Sequence, residues 1–233
     1  MSIILAIETS TERASVALLM GADLLTRESP SVPMHSEAVL PMVQDMLKEA
    51  GIALRECAAI AYGCGPGAFT GVRTACGLVQ GLAFGAGLPV APVVTLEAMA
   101  QACREQSGAD EVMAVLDARM GEVYWARYRH EGVWRTVHEP SVSAPAAIDV
   151  AGTPVFCGNG LTLCAENDWA AAARAAQPPR WLPAIMPHAS QIARLGLQAL
   201  AQGRLLAARD AYPLYLRDKV ALTTEERMAK AGA

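Results

Sequence analysis

The stretch that decides the fold is residues 57–73, which read Cys-Ala-Ala-Ile-Ala-Tyr-Gly-Cys-Gly-Pro-Gly-Ala-Phe-Thr-Gly-Val-Arg. Its first six residues are almost wholly apolar, which predicts a strand that is buried on both faces. A glycine-rich loop from Gly63 to Gly71 comes next, and Thr70 is placed to cap a helix that runs to about Gly85. A buried strand that leads through a short loop into a helix predicts an α/β fold.

The glycine-rich loop has two interpretations. A helix N-terminus after such a loop offers backbone N–H groups and a positive dipole end to an anion, and Arg73 would meet a phosphate or a carboxylate there. However, the loop lacks the Gly-Lys-Ser/Thr end of a P-loop, and counting from Gly65 gives G-x-G-x-x-x-G rather than G-x-G-x-x-G. The alternative is a structural turn whose glycines allow close packing, and the residues leave both open.

The segments around this unit predict two similar halves. In the first half we expect strands at 3–7, 14–20, 24–28, 57–62 and 89–94, with helices at 35–50, 70–85 and 95–104. The second half begins again with strands at 112–116, 123–129, 133–137 and 155–157, an irregular connection at 140–154, and helices at 165–176 and 190–203. We therefore predict a duplicated α/β unit with lobes of residues 1–107 and 108–233, and any ligand between them.

Composition excludes several classes of protein. The 233 residues are 53% hydrophobic and 18% charged, which excludes an intrinsically disordered chain. A chain of this length can form a core without disulfides or metal ions. The 19 basic and 23 acidic side chains give a net charge of −4, so there is no overall attraction to nucleic acid or to an anionic membrane.

Cysteine usage and the apolar segments favour a cytoplasmic protein. None of the six cysteines forms a CxxC pair or a Cys/His spacing typical of zinc sites, so we expect buried free thiols in a reducing compartment. The N-terminus has no basic region before its short apolar run, unlike a signal peptide. The most apolar stretch, 76–90, is shorter than the ~20 residues that a membrane span needs.

Candidate catalytic residues are few. Glu8-Thr9-Ser10-Thr11 follows the first strand, where phosphate-binding loops often lie, although a hairpin turn explains it equally well. Asp117 and Glu122 flank another predicted turn and are candidates for a general acid–base pair, for which turn chemistry is again the alternative. No spacing of histidine with acidic residues predicts a metal site, so the residues show no complete active site.

Two helices carry unusual faces. In the helix at 35–50 an apolar stripe contains Val39, Val43 and Leu47, with Leu40 beside it, and is wider than one core contact needs. Either this helix is buried on two sides within the fold, or it also meets a partner. In the next helix Gly77, Gly81 and Gly85 recur every four residues on one face. Since each costs about 1 kcal/mol of helix propensity, they suggest the close approach of another helix.

Five ordered motifs then identify a family. They lie at residues 4–11 with 15–18, 35–36 with 40–43, 65–73, 117–124, and 215–217 with 220–221. Together they resemble the TsaB (YeaZ) family of bacterial tRNA-modification proteins. The resemblance implies the α/β fold of the actin-like ATPases (the ASKHA fold), with two duplicated lobes whose mixed sheets are flanked by helices, which agrees with the two halves inferred above.

The resemblance also implies a role. Members of this family pair with a paralogue, TsaD, which transfers a threonylcarbamoyl group to the adenosine next to the anticodon of tRNA. The ATPase TsaE binds the pair, and without TsaD the same surface is expected to form a homodimer. On this basis we expect an accessory subunit that activates TsaD, contacts tRNA only indirectly, and has no membrane partner.

One departure from TsaD bears on catalysis. TsaD carries a His-x-x-x-His metal motif, and Thr95 and Met99 stand at the corresponding positions here. Because neither side chain is a normal ligand for a hard metal ion, we expect no catalytic residues, no metal and no cofactor. The alternatives are a small-molecule kinase or ATPase of the same fold, which would use the loops at 8–11 and 65–71, and, third, a metallopeptidase.

In this family the first two helices form the dimer surface. We therefore predict an interface made by Val39, Leu40, Val43, Leu47, Val72, Arg73, Gly77, Leu78 and Gly81. A charge placed on this face, as in Val43→Glu, is expected to prevent pairing while the monomer stays folded.

Overall fold

A computed structural model describes residues 2–29, 35–150, 152, 154–176 and 180–217 of the chain. Two five-stranded mixed sheets form its framework. Within these ranges no helix is both long enough and apolar enough to cross a membrane.

The first sheet has the strand order β3-β2-β1-β4-β5. β1 to β3 form an antiparallel meander, and β4 and β5 then run parallel to β1. The strands are β1 (Ile3–Glu8), β2 (Ala14–Met20), β3 (Asp23–Ser29), β4 (Ala59–Gly65) and β5 (Val90–Val94), and the helices between and after them are α1 (His35–Ala50), α2 (Phe69–Ala86) and α3 (Thr95–Ser107).

The second sheet repeats this topology, with the order β10-β9-β6-β7-β8. Here β6 to β8 form the antiparallel meander and β9 and β10 are the parallel strands. The elements are β6 (Glu111–Arg119), β7 (Glu122–His130), β8 (Trp134–Ser143), β9 (Val155–Cys157), α4 (Asp168–Ala175), β10 (Trp181–Leu182) and α5 (Ala189–Ala201). The matching strand orders confirm the predicted duplicated α/β fold of the actin-like ATPase type.

Helices cover both faces of the first sheet. Successive side chains of β1 point to opposite faces. Leu5 and Ile7 therefore pack against α1 and α2, while Ile4 and Ala6 pack against α5. Gly196 of α5 is required by this contact, because a Cβ there would lie 2.5 Å from the Cβ of Ala61. The division of the chain at residue 108 thus separates the two sheets, whereas α5 returns to pack on the first one.

Several local details differ from the sequence-based expectation, which contained no strand at β10 and began the helix of α4 at residue 165. Thr70 is not the cap of α2, because the helix begins one residue earlier at Phe69 and its N-cap residue is Ala68. The stretch after 140 is not wholly irregular, since β8 continues through Pro140 to Ser143. A proline is tolerated there because β8 is an edge strand and its pairing with β7 is irregular between the partners of Trp125 and Arg127.

Candidate functional site

The two loops proposed for nucleotide chemistry are bonded to each other. The backbone N–H of Ala68 donates to the carbonyl oxygen of Ser10 at 2.7 Å, and Thr9 Oγ1 donates to the carbonyl oxygen of Gly71 at 2.7 Å. A Cβ at Gly67 would lie 2.5 Å from the carbonyl oxygen of Ser10, and one at Gly71 would overlap that of Thr9. The glycines therefore allow close packing against the turn after β1, as the structural interpretation of this loop requires.

Glu8 lies at the end of β1, beneath this contact. Its side chain is fully buried: Oε1 accepts the backbone N–H of Ser10, whereas Oε2 has no hydrogen-bond partner among the described residues. Burial raises the pKa of Glu8 above its ordinary value, although hydrogen bonds from Ser10 and Thr9 oppose the shift. A Cβ at Gly63 would overlap Oε2, so only glycine fits beside this carboxyl group.

A cavity of about 320 Å³ lies between the two lobes. It is lined by the turn after β1, the start of α2, the β6–β7 hairpin and residues 214–217. Arg119 forms ion pairs with Glu12 and with Asp117 Oδ2, and Arg217 forms one with Glu122. Asp117 and Glu122, the candidate acid–base pair, thus each engage a different arginine.

The positions that correspond to the TsaD histidines lie in the interior. Thr95 begins α3 and is fully buried, and Met99 is fully buried in the core that α3 forms with the second sheet.

His138 stacks on Trp125 with ring centroids 3.9 Å apart, and His188 Nδ1 accepts the backbone N–H of Ser190 at the start of α5. No group of three or more His, Cys, Asp and Glu side chains that could hold a metal ion occurs in the part of the chain described.

The outer face of α2 is open. Gly77, Gly81 and Gly85 form a stripe on it, which we call the glycine stripe. A Cβ at any of them would meet no atom of the described residues within 4 Å. Phe84 lies one helical turn beyond Gly81 and is 83% exposed. The close helix contact that the glycines suggest is therefore not made by any of the described residues.

The residues predicted for the interface fall into three groups. Leu40, Arg73, Gly77 and Gly81 are exposed. Leu47 and Leu78 are partly buried against the core beneath α1 and α2. Val39, Val43 and Val72 are buried in the chain's own interior, with exposures of 0%, 2% and 1%.

This burial corrects one expectation from the sequence. In Val43→Glu the new carboxylate would lie in the core, so the monomer would not stay folded as supposed. Of the two interpretations of the α1 stripe, burial within the fold accounts for Val39, Val43 and Met46. Leu40 is 38% exposed and remains on the surface.

Sequence reasoning placed no site residue in the segment that follows the last helix. Residues 211–217, here called the terminal strap, run along the first lobe. Leu214 donates its N–H to the carbonyl oxygen of Cys64 at 2.6 Å, and the hydroxyl of Tyr62 bonds both the N–H and the carbonyl oxygen of Tyr212 at 3.1 Å. The sequence feature that could have pointed to this segment is the fifth family motif at 215–217. The further residues of that motif, Val220 and Ala221, lie outside the described ranges.

The strap also reaches α2. Arg73 Nε donates to the hydroxyl of Tyr215 at 2.6 Å, and Gln80 Nε2 donates to the carbonyl oxygen of Ala211 at 2.9 Å. The guanidinium carbon of Arg73 lies 3.5 Å from the ring centroid of Phe69, a cation–π contact. Arg73 is therefore held by a side chain of the strap and by the first residue of its own helix.

Comparisons with known proteins agree on one family. The family model for TsaD, tRNA N6-adenosine threonylcarbamoyltransferase, matches residues 31–224. The tRNA threonylcarbamoyladenosine biosynthesis protein TsaB of Escherichia coli (strain K12) is 38% identical over 94% of this chain and 96% of its own length. The TsaB protein of Haemophilus influenzae is 36% identical over 93% and 94%.

A solved structure, YeaZ from Pseudomonas aeruginosa, is also similar throughout. It superposes with a TM-score of 0.81 and 41% identity over 93% of this chain and 100% of that one. Both lobes are thus shared with an experimentally determined structure. On this evidence the chain belongs to the TsaB/YeaZ family.

Proposed function

We propose that this chain is a non-catalytic subunit that pairs with TsaD and activates it for forming threonylcarbamoyladenosine next to the tRNA anticodon. Two relatives that match nearly the whole chain are named tRNA threonylcarbamoyladenosine biosynthesis proteins. The observation that carries the pairing is the glycine stripe. Three glycines that weaken α2 and have no described residue packed beside them suit a surface for another helix.

The likeness to TsaD favours a paralogue as the occupant of this surface. The TsaD model matches residues 31–224, which include elements of both lobes, so the partner is expected to share this fold. Two chains of one fold can pack the same helices around a twofold axis, which is the commonest arrangement of protein dimers. The same geometry gives a homodimer when TsaD is absent.

Three features of the inter-lobe region support an accessory role. The glycines at 67 and 71 pack on the turn after β1, the arginines at 119 and 217 are paired with carboxylates, and Thr95 and Met99 stand where TsaD has histidines. Because the chain has a net charge of −4 and the tRNA backbone is negatively charged, an indirect contact with tRNA is favoured. We further propose that TsaE binds the pair and that the complex works in the cytoplasm.

Gly81→Gln tests the surface directly. Since Gly81 is exposed and has open space beside it, the monomer should fold at least as well as the wild type, whereas the side chain would block a closely packed helix. Ala171→Gln, at an exposed position of α4, is the matched control. With TsaD from the same cell, we expect sedimentation analysis to show Gly81→Gln weakening the heterodimer at least tenfold and lowering tRNA modification in parallel.

Equal affinities for Gly81→Gln, Ala171→Gln and the wild type would contradict the assignment of this surface. ATP hydrolysis by the purified chain alone would instead favour the kinase or ATPase alternative, and a stoichiometric bound metal ion would favour the metallopeptidase. We expect neither.

A further inference from the structure

We infer that the terminal strap forms the second part of the docking surface on α2, and that its closure on the first lobe sets the affinity for the partner. This inference rests on the proposed pairing with TsaD and assigns to that pairing a second chain segment and a conformational control. Three sets of contacts carry it: those at the surface, those in the interior, and those at the cleft.

At the surface the strap continues the glycine stripe. Arg73, Gly77 and Gly81 are spaced four residues apart and share one side of α2, so a helix lying on the stripe would also meet Arg73. Arg73 is the one charged residue of α2. Its side chain is fixed between Phe69, which is 39% exposed, and Tyr215, which is 48% exposed and accepts the hydrogen bond from Nε. The end of the docking surface is thus built by α2 and the strap together.

In the interior the strap is held at points that a docked partner would not touch. Tyr62 is fully buried, and its hydroxyl makes two hydrogen bonds to the backbone of Tyr212. Leu214 bonds the carbonyl oxygen of Cys64, and its own carbonyl oxygen lies 2.9 Å from where a Cβ at Gly65 would be. Because these bonds hold neighbouring residues of one extended segment, they are expected to form and break together.

At its far end the strap reaches the cleft and the second lobe. Leu214 to Arg217 line the inter-lobe cavity, and Arg217 pairs with Glu122 at the start of β7. Opening of the strap would therefore release Arg73 from Tyr215 and change the wall of the cleft in one movement.

Linkage fixes how docking and strap closure affect each other. If the partner binds better to the closed form, docking must stabilise closure, and complete opening of the strap must weaken docking by the same free energy. The apparent affinity equals the affinity of the closed form multiplied by the fraction of chains whose strap is closed. Each effect can be measured separately.

Tyr62→Phe tests this coupling without altering the docking face. It removes the hydroxyl that holds Tyr212 and keeps the buried ring. Tyr128→Phe is the matched control, because Tyr128 is equally buried and its hydroxyl has no hydrogen-bond partner within the described ranges. For each chain the measurements are the hydrogen exchange of the Tyr212 and Leu214 amides, alone and with TsaD, and the dissociation constant of the heterodimer.

We expect TsaD to slow exchange of both amides in the wild type. Tyr62→Phe should speed their exchange about tenfold, as the loss of two neutral hydrogen bonds allows. It should raise the dissociation constant by the same factor, up to about tenfold, by which it lowers the closed fraction of the strap, while Tyr128→Phe changes neither. Amide exchange that TsaD does not slow in the wild type, or a lower closed fraction without a matching rise in the dissociation constant, would overturn the coupling and leave the pairing intact. A wild-type chain that does not pair with TsaD at all would overturn the proposed function, and this inference with it.

Thermal unfolding would reveal whether Tyr62→Phe fails to fold. A second variant tests the proposal in that case. Tyr215→Phe removes the hydroxyl that accepts from Arg73 and leaves the exposed ring in place. It should weaken pairing at least twofold. Unchanged affinity in this variant would contradict the placement of the strap in the docking surface.

Discussion

Thr9 and Gly71, 62 positions apart in the chain, are joined by a hydrogen bond of 2.7 Å from Thr9 Oγ1 to the carbonyl oxygen of Gly71. Both residues are buried. This bond fixes the first turn of α2 against the turn that follows β1. The position of α2 in turn decides where the glycine stripe and Arg73 lie on the surface.

Gly71→Ala should destabilise the chain, because its Cβ would overlap the carbonyl oxygen of Thr9. Overpacking of this kind typically costs about 1–3 kcal/mol. Gly77→Ala is the natural control, since a Cβ there meets no described residue within 4 Å and alanine stabilises the helix by up to about 1 kcal/mol. Thermal unfolding of both variants is the measurement. Melting temperatures that move in the same direction would show that the close packing of Gly71 is unimportant.

Val43→Glu and Leu40→Glu should behave differently although they lie three positions apart in α1. Val43 is 2% exposed and packs in the core, so a carboxylate there costs several kcal/mol of stability or prevents folding. Leu40 is 38% exposed, so its variant should fold and lose affinity for the partner. Circular dichroism gives the folding of each variant, and sedimentation with TsaD gives the pairing. A folded Val43→Glu monomer of wild-type stability would contradict the burial of this residue.

Glu8→Gln should make stability less dependent on pH. Burial raises the pKa of Glu8 above its ordinary value of 4.5, so the folded state binds its proton more tightly than the unfolded chain. Between the ordinary and the raised pKa the free energy of unfolding of the wild type therefore falls as pH rises, by about 1.4 kcal/mol per pH unit. Because glutamine remains neutral, the free energy of unfolding of Glu8→Gln does not fall in this way as the pH rises.

Denaturant unfolding between pH 4 and pH 8 measures the effect. The advantage of Glu8→Gln over the wild type should grow from the ordinary pKa upward, and Glu37→Gln, at an exposed position of α1, should show no such trend. A constant difference between Glu8→Gln and the wild type over this range would mean that burial does not govern the ionisation of Glu8.

The six cysteines should be unreactive in the folded protein. All are free and buried, and burial raises the pKa of the Cys64 thiol to about 12 and those of Cys57 and Cys164 to about 11. Thiolate, the reactive form, is therefore scarce at these three positions at neutral pH. A hydrogen bond with Cys157 lowers the pKa of Cys103, so that thiol is protected by its complete burial instead. A thiol-specific disulfide reagent should label none of them within minutes at pH 8 and all six in guanidinium chloride. Rapid labelling of two or more thiols in the native protein would contradict their burial.

Much of the fold could be predicted because it is encoded locally. The apolar run before Gly63 and the helical spacing after it gave the β4–loop–α2 unit, and the helix at 35–50 has the bounds that its spacing predicted. The repeated order of elements predicted the duplication, which the matching strand orders confirm. Ordered motifs predicted the family, which relatives over most of the chain confirm.

The sequence could not show what each glycine packs against. Gly71 and Gly77 stand six residues apart and are chemically identical, yet the first packs against a backbone carbonyl and the second faces open space. A glycine in a helix indicates only that something comes close, either from the same chain or from another. Which of the two applies depends on where β1 places its turn, and that is a contact between distant parts of the chain.

The sequence by itself determined most of the elements, their duplication and the family, because periodicity, turn residues and ordered motifs are local properties. Only the tertiary structure decided which residues of α1 and α2 remain on the surface. It alone showed that the terminal strap lies against α2, where Arg73 donates to the hydroxyl of Tyr215, 142 positions away in the sequence. The physical reason is that burial is a property of packing: Val43 and Leu40 have similar apolar side chains, and only the sheet beneath α1 separates a core residue from an exposed one.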